Sequence, residues 1–170
     1  MRVAVIFGGR SSEHEVSLRS GASVAAGLRA AGHEVVEVLI ERDGRWLADG
    51  EEVELRAAGG LLGAEVAFPV LHGPFGEDGT VQGHFEMLGL RYTGAGVAAS
   101  AIGMDKQMMK LVLAGSGLPI GGFTTILPGQ WDADRAGCRA AVAGLGMPVY
   151  VKPARGGCSR CRSCRPPSAC

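Results

Sequence analysis

The chain has 170 residues, 46% of them hydrophobic and 20% charged, the make-up of a soluble globular protein with room for about one domain. Lys plus Arg and Asp plus Glu each number 17, so there is no basic excess of the kind that draws nucleic acid or a membrane surface. Its strongest apolar runs, residues 3–7 and 66–71, are far shorter than the roughly 20 residues that cross a bilayer, and no secretory signal pattern opens the chain, which points to a cytoplasmic protein acting on small molecules.

The predicted elements begin with residues 2–7, an apolar run closed by Gly8 and Gly9, as in a buried parallel strand that turns sharply at its carboxyl end. Ser11 or Ser12 can cap a helix that runs to Ala31 and stops at Gly32, with Glu13 and Glu15 suiting its positive N-terminal end. Residues 34–40 supply a second parallel strand, joined by a right-handed crossover through the helix, so the opening is Rossmann-like. Residues 42–45 have hairpin-turn chemistry, and the Gly/Ala-rich stretch 57–64 reads as a surface connection to a strand over 65–71. A glycine- and acid-rich loop at 73–80 precedes a helix over 81–88 and a closing strand over 90–93, and the first domain ends near Gly96. Helix-compatible spacing follows over 98–117 and 132–145, with strand character over 123–127 and 147–152. From Cys158 onward neither a helical nor a strand face can be drawn, because Arg, Ser, Pro and Cys take nearly every place.

The first chemical constellation is Gly-Gly-Arg-Ser-Ser-Glu-His-Glu-Val-Ser-Leu at 8–18, where glycines let the backbone approach a ligand at a helix N-terminus. It has neither the dinucleotide fingerprint nor the Gly-Lys-Ser/Thr ending of a phosphate loop. Glu13 at a strand's carboxyl end can pair with a substrate ammonium, or simply favour the helix dipole. The second is Leu-His-Gly-Pro-Phe-Gly-Glu-Asp-Gly-Thr-Val-Gln-Gly at 71–83. There His72 can move a proton near neutral pH or serve as a structural hydrogen-bonding residue, while Glu77 and Asp78 admit a plain solvated-loop reading. The third is Lys106 with Lys152, each able to place an ammonium against phosphate oxygens; Lys152 ends an apolar strand and opens a glycine-bearing segment, whereas Lys110 reads as a surface lysine.

These motifs, with Tyr-Thr-Gly-Ala-Gly at 92–96, Met-Asp-Lys at 104–106 and Val-Lys-Pro-Ala-Arg-Gly-Gly at 151–157, resemble in content and order the signatures of the D-alanine:D-alanine ligases, from Met1 to about Gly157. The resemblance implies an α/β fold: a Rossmann-like, pre-ATP-grasp substrate-binding domain over 1–96, then a truncated α+β ATP-grasp central region over 97–157. It implies an ATP-dependent ligase that phosphorylates one D-alanine carboxylate and lets the amine of a second D-alanine displace the phosphate, giving D-alanyl-D-alanine for peptidoglycan, with magnesium offsetting the charge. Motif matching implies Glu13 on the ammonium of the first D-alanine, and His72 beside it as an orienting or proton-transfer group. Ser17 is placed at the same substrate site or in support of its loop, and Lys106 and Lys152 on ATP phosphates. Tyr92, Thr93 and Gly94 are implied to shape the junction between the domains. No metal ligand is assigned, since the family carries its magnesium ligands in a C-terminal lobe not found in this sequence. The partners implied are D-alanine and ATP, without nucleic acid or membrane, and a homodimer as in full-length relatives; a D-alanine:D-lactate ligase is the variant within the family.

After Gly157 the family continues with Ser-Ser, an aliphatic residue and Gly, whereas this chain reads Cys158-Ser-Arg-Cys-Arg-Ser-Cys and on to Cys170. The departure reads as an out-of-frame, disordered tail on an incomplete and inactive enzyme. The competing reading makes Cys158, Cys161, Cys164 and Cys170 ligands of zinc or an iron–sulfur cluster in a non-catalytic metal-binding or interaction protein.

Overall fold

The computed structural model describes residues 1–55 and 60–155 and the backbone of 162–164. The chain forms two compact units, Met1–Met104 and Asp105–Cys170.

The first unit is built on a five-stranded sheet. Its centre is β1 (Arg2–Gly8), with β2 (Glu34–Ile40) parallel on one side from Arg2↔Glu34 to Gly8↔Ile40. Two short strands, β3 (Trp46–Ala48) and β4 (Glu51–Glu52), extend the sheet antiparallel beyond β2. On the other side of β1 lies β5 (Val66–Pro69), parallel and in register from Val3↔Val66 to Ile6↔Pro69.

Side chains alternate across β1, so its apolar run feeds two cores. Val3 and Val5 pack with Ala25 of α1 (His14–Ala30) and with Val70. Ala4 and Ile6 pack with Val81, Phe85 and Leu88 of α2 (Thr80–Leu88) on the opposite face. Ile6 and Phe85 are fully buried, and such burial stabilises by roughly 1.5–3 kcal/mol per side chain. Gly21 lets α1 close on the sheet, since a Cβ there would stand 2.6 Å from the Phe7 ring. The unit ends with α3 (Val97–Met104).

Several local expectations are corrected. Ser11 and Ser12 do not cap α1: the N-cap position is Glu13, without a side-chain cap bond. The stretch read as a surface connection carries Leu61 into the core at 1% exposure, while residues 57–59 lie outside the described residues. The closing strand over 90–93 shrinks to one parallel bridge, Ala67↔Tyr92.

In the second unit, α4 (Lys106–Gly115) begins at Asp105, whose carboxylate accepts from the amides of Gln107 and Met108. A capping carboxylate ends one helix and starts another, which is why the single helix expected over 98–117 is divided. No strand forms over 123–127. The helix expected over 132–145 is likewise interrupted at Asp134, which separates α5 (Gln130–Ala133) from α6 (Arg135–Ala143) and caps the latter through Gly137. A strand β6 (Val149–Val151) pairs antiparallel with β7 (Arg162–Cys164). The tail expected to lack structure thus contributes one short strand. The rest of it, with the side chains of Cys158, Cys161, Cys164 and Cys170 and the metal-site reading they carried, lies outside the described residues. No helix among the described residues is long and apolar enough to cross a membrane.

Candidate functional site

Because β2 and β5 flank β1 on opposite sides and α1 and α2 cover opposite faces, the winding of the sheet reverses between β1 and β5. Open α/β sheets bind ligands in the crevice outside the carboxyl ends of the strands at such a reversal. The end of β1 and the loop after it carry Gly8, Gly9, Ser11 and Glu13; the loop after β5 carries Leu71, His72 and Gly73. Gly8 and Gly9 take φ of 92° and 93°, a region that glycine enters freely, and the amide of Gly9 donates to the Ile40 carbonyl at 2.7 Å.

Two serines tie these loops together from below. Ser17, expected at the substrate or in support of its loop, is fully buried. Its Oγ accepts from the Gly8 amide at 2.8 Å and donates to the Val70 carbonyl at 2.6 Å, which fastens the end of β1 to the end of β5. Ser11 is 7% exposed; its Oγ donates to the His72 carbonyl at 2.7 Å and accepts from the Glu13 amide at 3.1 Å. One hydroxyl therefore fixes the backbone of both candidate site residues. Buried His14 adds a third tie, Nδ1 donating to the Gly9 carbonyl at 2.7 Å.

The half-buried Glu13 carboxylate lies against Gly73, where a Cβ would come within 2.6 Å of Oε2. It has no cationic side-chain partner among the described residues. His72 is half-buried, its Nε2 3.3 Å from Ser20 Oγ. Ser11 and His72 also form a wall of a cleft of about 740 Å³ whose other sides include Ile40, Trp46, Phe75 and Val81. The acidic loop lies at the surface, Glu77 exposed and Asp78 half-buried, yet both carboxylates brace it. Glu77 accepts from the Gly73 amide at 2.7 Å, and Asp78 from the Phe75 and Thr80 amides at 2.9 and 3.0 Å. Partial burial pushes the Asp78 carboxyl up, but the hydrogen bonds from Phe75 and Thr80 outweigh it and hold the group below its ordinary value.

In the second unit Lys106, Lys110 and Lys152 line one cleft of about 310 Å³ together with Thr124 and Thr125. Lys110 is engaged rather than merely solvated: its Nζ donates to the Gly121 carbonyl at 3.0 Å and lies 5.0 Å from the centre of the Phe123 ring. Two residues that sequence reasoning passed over join the lysine-bearing segments. Asp105 Oδ1 accepts from Gln107 and Met108, and Oδ2 from Arg155 Nε at 3.0 Å. The hydrogen bond from Arg155, and then those from the Met108 and Gln107 amides, hold this carboxyl below its ordinary value. The available signal was an Asp directly before a helical run, a favoured capping residue. Nothing in the sequence pointed to its partner fifty positions on.

The family described as "D-ala D-ala ligase N-terminus" matches residues 2–62 and 54–95. The chain belongs to the D-alanine:D-alanine ligase family. Glu13, Ser17 and His72 fall within the matched stretch, whereas Lys106 and Lys152 lie beyond it. Among relatives, the D-alanine:D-alanine ligase of Kineococcus radiotolerans is 45% identical over 195 residues, covering 93% of this chain and 52% of the relative. That of Streptomyces coelicolor is 39% identical over 201 residues with the same coverage, 93% and 52%. The solved D-alanine-D-alanine ligase from Coxiella burnetii superposes with a TM-score of 0.86 at 27% identity, covering 98% of this chain and 57% of that one. The VanG D-Ala:D-Ser ligase from Enterococcus faecalis gives 0.77 at 28%, covering 98% and 56%. The chain thus spans about half the length of the curated ligases it matches.

Proposed function

We propose that this chain supplies the first-substrate site and part of the nucleotide-phosphate site of an ATP-dependent ligase that makes D-alanyl-D-alanine for peptidoglycan. Residues 1–96 serve the amino acid and residues 97–157 begin the nucleotide-binding part. The observation that carries the reading is the Glu13 carboxylate, half-buried against Gly73 beside His72 at the strand-order reversal and without a cationic partner among the described residues. A carboxylate so placed favours an ammonium group, and the charge-assisted bond fixes the substrate's orientation.

Glu13 then holds the first D-alanine by its ammonium, and His72 orients it or transfers a proton beside it. Ser17 and Ser11 hold the two loops in register from beneath. Lys106 and Lys152, with Lys110 and the hydroxyls of Thr124 and Thr125 in the same cleft, suit the oxygens of a polyphosphate. The reaction class is carboxylate phosphorylation by ATP followed by displacement of phosphate by an amine, and electrostatic positioning is the protein's contribution to it. Magnesium, which use of ATP implies, finds no ligand set here: among the described residues no three His, Cys, Asp or Glu side chains come together. No step is assigned to it. A cytoplasmic location suits ATP and amino-acid substrates, and a homodimer is the proposed assembly, checked by sedimentation.

The Enterococcus faecalis neighbour is a D-Ala:D-Ser ligase by name, so D-alanine is the common first substrate and the second is left to D-alanine, D-serine or D-lactate. Equilibrium dialysis of the full chain against labelled D-alanine tests the first-substrate site. Binding is expected to disappear in Glu13→Gln, and D-lactate, which lacks the ammonium, is not expected to compete. Equal retention of D-alanine by the wild type and Glu13→Gln would overturn the assignment.

A further inference from the structure

We propose that Asp105 and Arg155 form a clasp that sets the spacing of Lys106 and Lys152, which makes Asp105 a positioning residue for phosphate binding; this rests on the reading that the two lysines hold phosphate. The two oxygens of Asp105 do different jobs. Oδ1 accepts from the amides of Gln107 and Met108, each at 3.1 Å, and so fixes the direction in which α4 leaves. Oδ2 accepts from Arg155 Nε at 3.0 Å, on the far side of the Lys152 segment. The backbones follow: Asp105 and Arg155 form an antiparallel bridge, and the Lys106 amide donates to the Ala154 carbonyl at 2.9 Å.

Lys106 is the first residue after the clasp on the α4 side, and Lys152 stands three residues before it on the other segment. Side chains on a helix lean toward its N-terminus, so the Lys106 Cα–Cβ bond tilts back toward the clasp. Arg155 is 83% exposed at its side chain, and an ion pair with so exposed a partner adds little to stability. Its consequence is geometric. Three lysines share the cleft of about 310 Å³, and their mutual repulsion favours separation of the segments unless a fixed link holds them.

The test uses the full chain and a short amine-reactive cross-linker read by mass spectrometry, with ATP binding measured in parallel. Asp105→Asn keeps a capping side chain and removes the charge; Arg155→Gln leaves the cap untouched. The Lys106–Lys110 link, four residues apart on α4, is the internal control because it does not depend on the clasp. Both variants are expected to lower the Lys106–Lys152 cross-link several-fold while the control is unchanged. ATP binding is expected to weaken by about tenfold in each, the double variant being no worse than either alone, as for residues acting as one unit. An unchanged Lys106–Lys152 cross-link in Arg155→Gln, or additive losses in the double variant, would overturn the clasp. If the cross-links respond as expected but the wild type does not bind ATP, the phosphate reading fails and the role in phosphate binding falls with it, while the geometric link stands.

Discussion

Ser11 Oγ lies 2.7 Å from the carbonyl oxygen of His72, and the same hydroxyl accepts from the Glu13 amide at 3.1 Å. Residues 61 positions apart are thereby held through a hydroxyl that is almost entirely removed from water. The carboxylate and imidazole that the proposed substrate site requires are both carried by backbone that this bond fixes.

Ser11→Ala removes both bonds at once. It leaves a carbonyl and an amide without their partner, at a cost of about 1–3 kcal/mol. Urea denaturation is expected to show that loss. D-alanine affinity should fall by more than the unfolded fraction explains, because Glu13 and His72 are no longer held in register.

Gly73 has a φ of 70°, and a Cβ there meets Glu13 Oε2 at 2.6 Å. Gly73→Ala therefore strains the backbone by roughly 1–2 kcal/mol and pushes the carboxylate aside. Weakened D-alanine binding by a still-folded protein is the expected result, read by circular dichroism alongside calorimetry. Normal affinity would show that the carboxylate need not occupy that place.

Gly21→Ala acts through packing alone. Its Cβ would press on the Phe7 ring, and overpacking of this kind costs about 1–3 kcal/mol. The melting temperature is expected to drop, with D-alanine affinity of the folded fraction preserved.

The hydrogen bonds on Asp78 lower its pKa in the folded chain below the ordinary 3.8. A group lowered on folding contributes stability that is present above its unfolded value and is lost as pH falls through its folded value. Below about pH 4 the wild type should therefore lose stability along a slope that Asp78→Asn flattens. Solvent around the partly exposed carboxylate keeps the slope shallow. Denaturation curves at several acid pH values measure the difference.

Much of the first unit was legible because β1, α1 and the helix over α2 each carry an apolar pattern closed by glycine, and β2 is a run rich in Val, Leu and Ile. What escaped had no pattern to read. The three residues of β3 and two of β4 are strands because β2 offers an edge, and Leu61 is core because of where the chain returns. The divided helices turn on the carboxylates of Asp105 and Asp134, which accept from amides at the start of the next helix. The loops bearing Glu13 and His72 and the segments bearing Lys106 and Lys152 could be named from motifs. The Ser11 tie and the Asp105–Arg155 clasp could not, since each joins residues that only folding brings together.

The most direct test of the central claim, that Glu13 at the reversal of strand order receives an amino-acid ammonium, is a D-alanine titration followed by backbone amide chemical shifts. The account predicts saturable shifts at Gly9, Glu13, His72 and Gly73 that vanish in Glu13→Gln. Shifts confined to other residues, or an unaltered response in Glu13→Gln, would contradict it.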